Sequence, residues 1–170
     1  MQDIDPLPPP DVHHWEAAQG WTGLRNPKEA YAELDKIRPE FHAHPFVCSA
    51  WLDAWILDGE WVKARDMADW LANEFPDEPG FWLHLAYATR RVEPGGMEEA
   101  LSVLTGVAEK FPKEWMIPYN MACYLCQLER LAEAKPNLAR ALEIGGKGIR
   151  TAALSDEDLK PLWLWVKNHD

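Results

Sequence analysis

Four alanines set the frame for this chain: Ala30, Ala64, Ala100 and Ala134 recur at separations of 34, 36 and 34 residues. Each opens a similar phrase. Ala30 is followed by Leu34 and Ile37, Ala64 by Ala68 and Leu71, Ala100 by Leu104 and Val107, and Ala134 by Leu138 and Ala141. Offsets of four and seven put all three side chains on one helix face, and such a face must be buried. Twelve residues beyond the alanines stand His42, Pro76, Pro112 and Gly146, where two prolines and a glycine are natural helix ends. Upstream of each alanine lies a second amphipathic stretch, with apolar columns Ala17, Trp51, Leu85, Met121 and Trp21, Trp55, Thr89, Leu125. A turn such as Asp58-Gly59-Glu60-Trp61 separates the two stretches. A helix–turn–helix unit of this size cannot bury its own apolar face, so neighbouring units must stack.

The periodicity, together with segments such as Trp82-x2-Leu85-Ala86 and Tyr119-Asn120-Met121-Ala122, resembles the tetratricopeptide repeat (TPR) family. The resemblance implies an all-α, right-handed α-solenoid of about four helix-turn-helix units. Repeats fall at 11–44, 45–78, 79–114 and 115–148, after a Pro-rich tail at 1–10. Two extra residues of the third repeat are placed in Glu93-Pro94-Gly95-Gly96, where insertion is cheap. Residues 149–170 read as a capping segment. Ser155 is expected to cap a helix carrying Leu159, Leu162, Trp163 and Val166 as its apolar stripe. The phrase Asp156-Glu157-Asp158-Leu159-Lys160-Pro161-Leu162 also resembles the closing segment of bacterial TPR proteins. Pro136, about five residues into the second helix of repeat four, is expected to disturb that helix.

Charge and cysteine usage exclude several classes. With 17 Lys+Arg against 28 Asp+Glu the formal charge is −11, which opposes binding to nucleic-acid phosphates. Three cysteines suit a reducing compartment better than a disulfide framework. The acidic, Pro-rich start lacks the features of a signal peptide, and no apolar run has the roughly 20 residues of a membrane helix. A cytoplasmic protein without membrane attachment is expected.

Catalytic patterns are missing. Gly145-Gly146-Lys147-Gly148 follows a helix and lacks phosphate-loop spacing, and there is no Gly-x-Ser-x-Gly elbow. Cys123-x2-Cys126 has a spacing that can hold zinc or a redox disulfide, but it lies mid-helix without a second ligand pair. His42 and His44 could join His13 and His14 only if the first repeat brought them together. The expectation is a protein with no enzymatic activity, metal or cofactor.

In the TPR family the first helices line a concave peptide-binding groove. Carried onto this sequence, the resemblance implies groove positions Trp15 and Gln19 in repeat one, and Phe46, Ser49, Asp53 and Ile56 in repeat two. Repeat three supplies Leu83, Tyr87, Arg90 and Arg91, and repeat four Tyr119, Cys123 and Cys126. The two main columns contain neither Lys nor Asn, so the carboxylate clamp used on acidic chaperone tails is not expected, although Arg90 and Arg91 could anchor one carboxylate. An apolar, amphipathic or basic protein or peptide partner suits the aromatic groove and the acidic chain. Two functional readings follow: an interaction module, and a dedicated chaperone for secreted or assembly-prone clients of the type III secretion kind. Of the ten tryptophans, Trp21, Trp51, Trp55, Trp61 and Trp82 fall at core columns. Trp70 faces outward, which makes a homodimer contact a candidate, and Trp115 has no place in the repeat packing.

Overall fold

The computed structural model describes residues 4–93 and 96–168. Among these the chain is all-helical and has no strand. The helices are α1 (Asp11–Gly23), α2 (Pro27–Leu34), α3 (Pro45–Asp58), α4 (Trp61–Glu74), α5 (Pro79–Thr89), α6 (Met97–Val107), α7 (Met116–Gln127), α8 (Leu131–Ala153) and α9 (Trp163–Asn168). Short 3-10 segments occupy Pro39–Phe41 and Glu157–Leu162. Prolines open α2, α3 and α5, where a missing N–H costs nothing. None of the described helices is long and apolar enough to cross a membrane. The chain divides into two compact units, Met1–Ala88 and Thr89–Asp170.

In the first unit α1 packs on α2, α3 packs on α4, and α3 also meets α1 and α2. Ala30, Leu34, Ala64, Ala68 and Leu71 retain no exposed surface, and Ile37 is buried with them. In the second unit α7 packs against α6 and α8, and Ala100, Leu104, Ala134, Leu138 and Ala141 are equally inaccessible. Every residue of the alanine-led phrases is therefore core. The five tryptophans expected at core columns are each partly buried, and Trp21 and Trp51 pack against the core of the first unit. Trp15 packs there as well, so the indoles border an alanine-rich core while keeping part of each ring accessible. Trp51 stacks on Tyr31 at 5.5 Å and tilts against Trp55 at 5.3 Å.

Three helix pairs reverse through the same turn. Arg25, Gly59 and Glu129 adopt left-handed backbone conformations, with φ of 59°, 79° and 61°. In each turn the following N–H reaches back five residues. Asn26 donates to the Trp21 carbonyl, Glu60 to Trp55 and Arg130 to Leu125, over 2.8–2.9 Å. This is a Schellman closure, which satisfies carbonyls that a helix end leaves open. Only the second turn uses glycine. In the third pair, Pro94 and Gly95 of the expected insertion lie outside the described residues.

The helix α8 keeps helical dihedrals through Pro136, so the disturbance expected there is absent. The break comes at Gly146, with φ 68° and ψ −157°, a conformation open essentially to glycine alone. One residue earlier, a Cβ on Gly145 would stand 3.2 Å from the Trp115 ring. That close approach, with a T-shaped contact between Trp115 and Tyr119 at 5.7 Å, gives Trp115 its place in the packing.

The segment before α1 is tied down where it is described. Leu7 belongs to the core of the first unit, and His44 Nε2 lies 2.8 Å from the Asp5 carbonyl. At the start of α1 the Asp11 side chain is wholly inaccessible. It accepts from the Arg38 backbone N–H at 2.8 Å and from Arg38 Nε and Nη2 at 2.8 and 2.6 Å. The guanidinium holds the Asp11 carboxyl below its ordinary value of 3.8.

Two measurements test these features. Arg25→Gly relieves a left-handed side chain and should raise stability by about 1 kcal/mol in urea unfolding. Asp11→Asn should lower stability at neutral pH. Because a depressed carboxylate stabilises above its unfolded pKa and loses that contribution as pH falls through its folded one, the deficit should shrink on titration below pH 3.8.

Candidate functional site

In the second unit, the α7 face predicted from sequence to bind a partner is already covered. The 3-10 segment Glu157–Leu162 packs on α7, and Tyr119, Cys123 and Cys126 are buried. The Tyr119 hydroxyl donates to Asp156 Oδ2 at 2.8 Å, and Gln127 Nε2 donates to the Asp158 carbonyl at 3.3 Å. Arg90 pairs with Asp158 at 3.2 Å and lies 5.4 Å from the centre of the Tyr124 ring. Leu159, Leu162 and Val166 have almost no exposed surface, which anchors the segment from its apolar side.

Asp156 is the centre of this closure. Its Oδ1 accepts from the Asp158 N–H at 3.0 Å, and its carbonyl accepts from Trp163 Nε1 at 3.1 Å. Asp156 caps the turn in place of Ser155, whose hydroxyl instead donates back to the Ala152 carbonyl at 2.9 Å. Tyr119, Cys123 and Arg90 thus serve the chain's own C-terminal segment and are not presented to an outside partner.

In the first unit the corresponding face of α3 keeps part of its surface accessible. Phe46, Ser49, Asp53 and Ile56 follow helical spacing and are each partly exposed. Trp15 stacks on Phe46 at 5.4 Å and donates from Nε1 to its carbonyl at 3.1 Å, so Trp15 braces the face, while Gln19 is exposed on α1. From α5, Leu83 and Tyr87 are partly buried, and Tyr87 meets Trp61 edge-on at 6.0 Å. Arg91, in the second unit, is also partly buried.

Phe46 and Ser49 line a cavity of about 190 Å³ with Ile4, Phe75, Glu78 and Phe81. One helical turn beyond Ser49, burial lifts the Asp53 carboxyl above its ordinary value, against the pull of His84. Burial likewise lowers the His84 imidazole, against the pull of Asp53. His84 Nδ1 is buried with no hydrogen-bond partner. Sequence reasoning passed over His84 because a lone histidine in an apolar helix carries no spacing signal.

Away from this face, an open cleft of about 590 Å³ is lined by His42, Cys48, Trp55, Lys63, Met67 and Trp70. Trp70 is 39% exposed, consistent with its outward position in the repeat phase.

Among the described residues the histidines do not form a metal-ligand cluster. His14 lies 2.8 Å from Glu33, and His42 Nε2 lies 2.8 Å from the Ile37 carbonyl, while His44 meets Asp5. Cys123 and Cys126 are both free thiols, and Cys123 Sγ groups with Asp156 and Asp158 within 4.8 Å. That cluster already has a cation in Arg90. Burial pushes the Cys123 thiol well up, and the Cys48 and Cys126 thiols to about 11, so none is poised as a thiolate nucleophile.

A scan against protein-family models and a search of curated proteins each found no match for this chain.

Removing Asp156 tests the closure. Asp156→Ala deletes a cap bond and strands the Tyr119 hydroxyl, and should cost about 2 kcal/mol in urea unfolding. Limited trypsin digestion should then cut faster after Arg150, which donates to the Val166 carbonyl in the closed segment, and after Lys167.

Proposed function

We propose that the chain is a non-enzymatic interaction module of TPR type, a right-handed helical solenoid that binds a segment of a partner protein along its α3 face. The observation that carries this reading is the chain's own behaviour at α7. There, a helix face with the same place in the repeat holds a short polypeptide turn through a tyrosine hydroxyl, a backbone carbonyl and a leucine anchor. The α3 face offers the same kind of surface, with Phe46, Ser49, Asp53 and Ile56 partly exposed beside an apolar cavity. Aromatic side chains at such positions supply large contact area at low entropic cost.

The test is an affinity capture from cell extract with the full chain and two sets of variants. Ser49→Arg and Ile56→Glu, on the face, should each abolish capture of a specific partner. Val62→Glu, at a position 54% exposed on α4, should leave capture intact. The same partner retained by all three variants would sink the assignment to α3.

A further inference from the structure

The two faces differ in the sign of the charge that surrounds them. In the second unit the segment held by α7 reads Asp156-Glu157-Asp158, and its cation is supplied by Arg90. The first unit has no equivalent. Along α3 from Phe46 to Ile56 the sole charged side chain is Asp53, and α5 from Pro79 to Ala88 has no Lys, Arg, Asp or Glu and one histidine, His84. The cavity beside them adds Glu78. Asp53 takes the place in the repeat that Cys123 occupies on α7. A carboxylate in a partly desolvated site attracts a positive group more strongly than it would in water, and repels an acidic one.

Geometry adds a spacing to the sign. Asp53 stands one helical turn from Ser49, a rise of about 6 Å. In an extended peptide, residues two apart project to the same side and lie about 7 Å from each other. Asp53 follows Phe46 and Ser49 at offsets of seven and four, on the same helix face, so the spacing of alternate residues in an extended segment matches the step from the cavity beside Phe46 and Ser49 to Asp53. We infer that the α3 face recognises an extended segment carrying an apolar residue and, two positions away, a lysine or arginine, with Phe46, Phe75 and Phe81 seating the first and Asp53 the second. This inference rests on the α3 reading above and names the partner's chemistry. An acidic segment, of the kind held at α7, is excluded here by Asp53 and Glu78.

The test is selection of a random twelve-residue phage-displayed peptide library on the full 170-residue chain. Enriched sequences should share the apolar–x–Lys/Arg pattern. A synthetic peptide of the consensus should lose at least tenfold in affinity when its cation is changed to Glu, and equally when the protein carries Asp53→Asn. That variant is isosteric and removes a charge that burial disfavours, and thermal unfolding will establish that it remains folded. Enriched peptides that lack a cation, or a consensus whose affinity Asp53→Asn leaves unchanged, would overturn the inference. In that case sensitivity to Phe46→Ala would still uphold the α3 reading. No enrichment over an albumin-coated surface would overturn both.

Discussion

Helices can approach closely only where one of them presents almost nothing, and in this chain that condition is met by alanine at a regular interval. Ala30, Ala64, Ala100 and Ala134 have no accessible surface, and Ala54, Ala72, Ala86, Ala88 and Ala122 join them. The distance between two packed helices is set by the side chains at their contact, so small residues draw the pairs together and leucines fill what remains. Larger rings are displaced to the margins. That displacement explains how a chain with ten tryptophans buries none of them fully. It also explains why aromatic surface is available for contacts along α3 and in the cleft beside Trp70.

A similar economy governs the two faces. Each is a first-helix surface carrying aromatic and small polar side chains, and the repeat phase alone does not distinguish them. They are distinguished by what lies next to them in space. Asp156 and the 3-10 segment Glu157–Leu162 cover α7 and convert it from a surface into core, and Arg90 pairs with Asp158 of that segment. On α3 the cover is partial: Trp15 stacks on Phe46, and Ile4, Phe75 and Phe81 border a cavity beside Phe46 and Ser49. Asp53 is left partly desolvated with only His84 to offset it.

How much of this was legible follows from the range of each interaction. The buried columns were, because a face repeating at four and seven needs no knowledge of the partner helix. Gly146 was legible as a break, and Trp70 as an outward residue, for the same local reason. The turns at Arg25 and Glu129 were not, since neither residue announces a left-handed conformation; only their equivalence to Gly59 within the repeat betrays them. The Asp11–Arg38 pair joins residues 27 apart, and Asp156 meets Tyr119 across 37. Such pairings carry no periodic signature. Expecting Ser155 as the cap failed because a neighbouring aspartate had both the cap and the tyrosine to satisfy. The disturbance expected at Pro136 failed because α8 retains helical dihedrals there and yields at a glycine downstream.

The closure of α7 also bears on the order in which the chain can mature. Alanine columns and Schellman turns join residues close in sequence, and they can form as soon as a helix pair exists. The cover for Tyr119, Cys123 and Cys126 cannot, because Leu159, Leu162 and Val166 are made well after α7. At translation rates of about 5–20 residues per second, α7 waits seconds for that cover, and its main neighbour α8 is itself complete only at Ala153. During that interval the growing chain exposes an apolar surface that the finished protein conceals. The chain's own acidic turn is tethered to that surface, and the short connection raises its effective concentration above that of any free competitor.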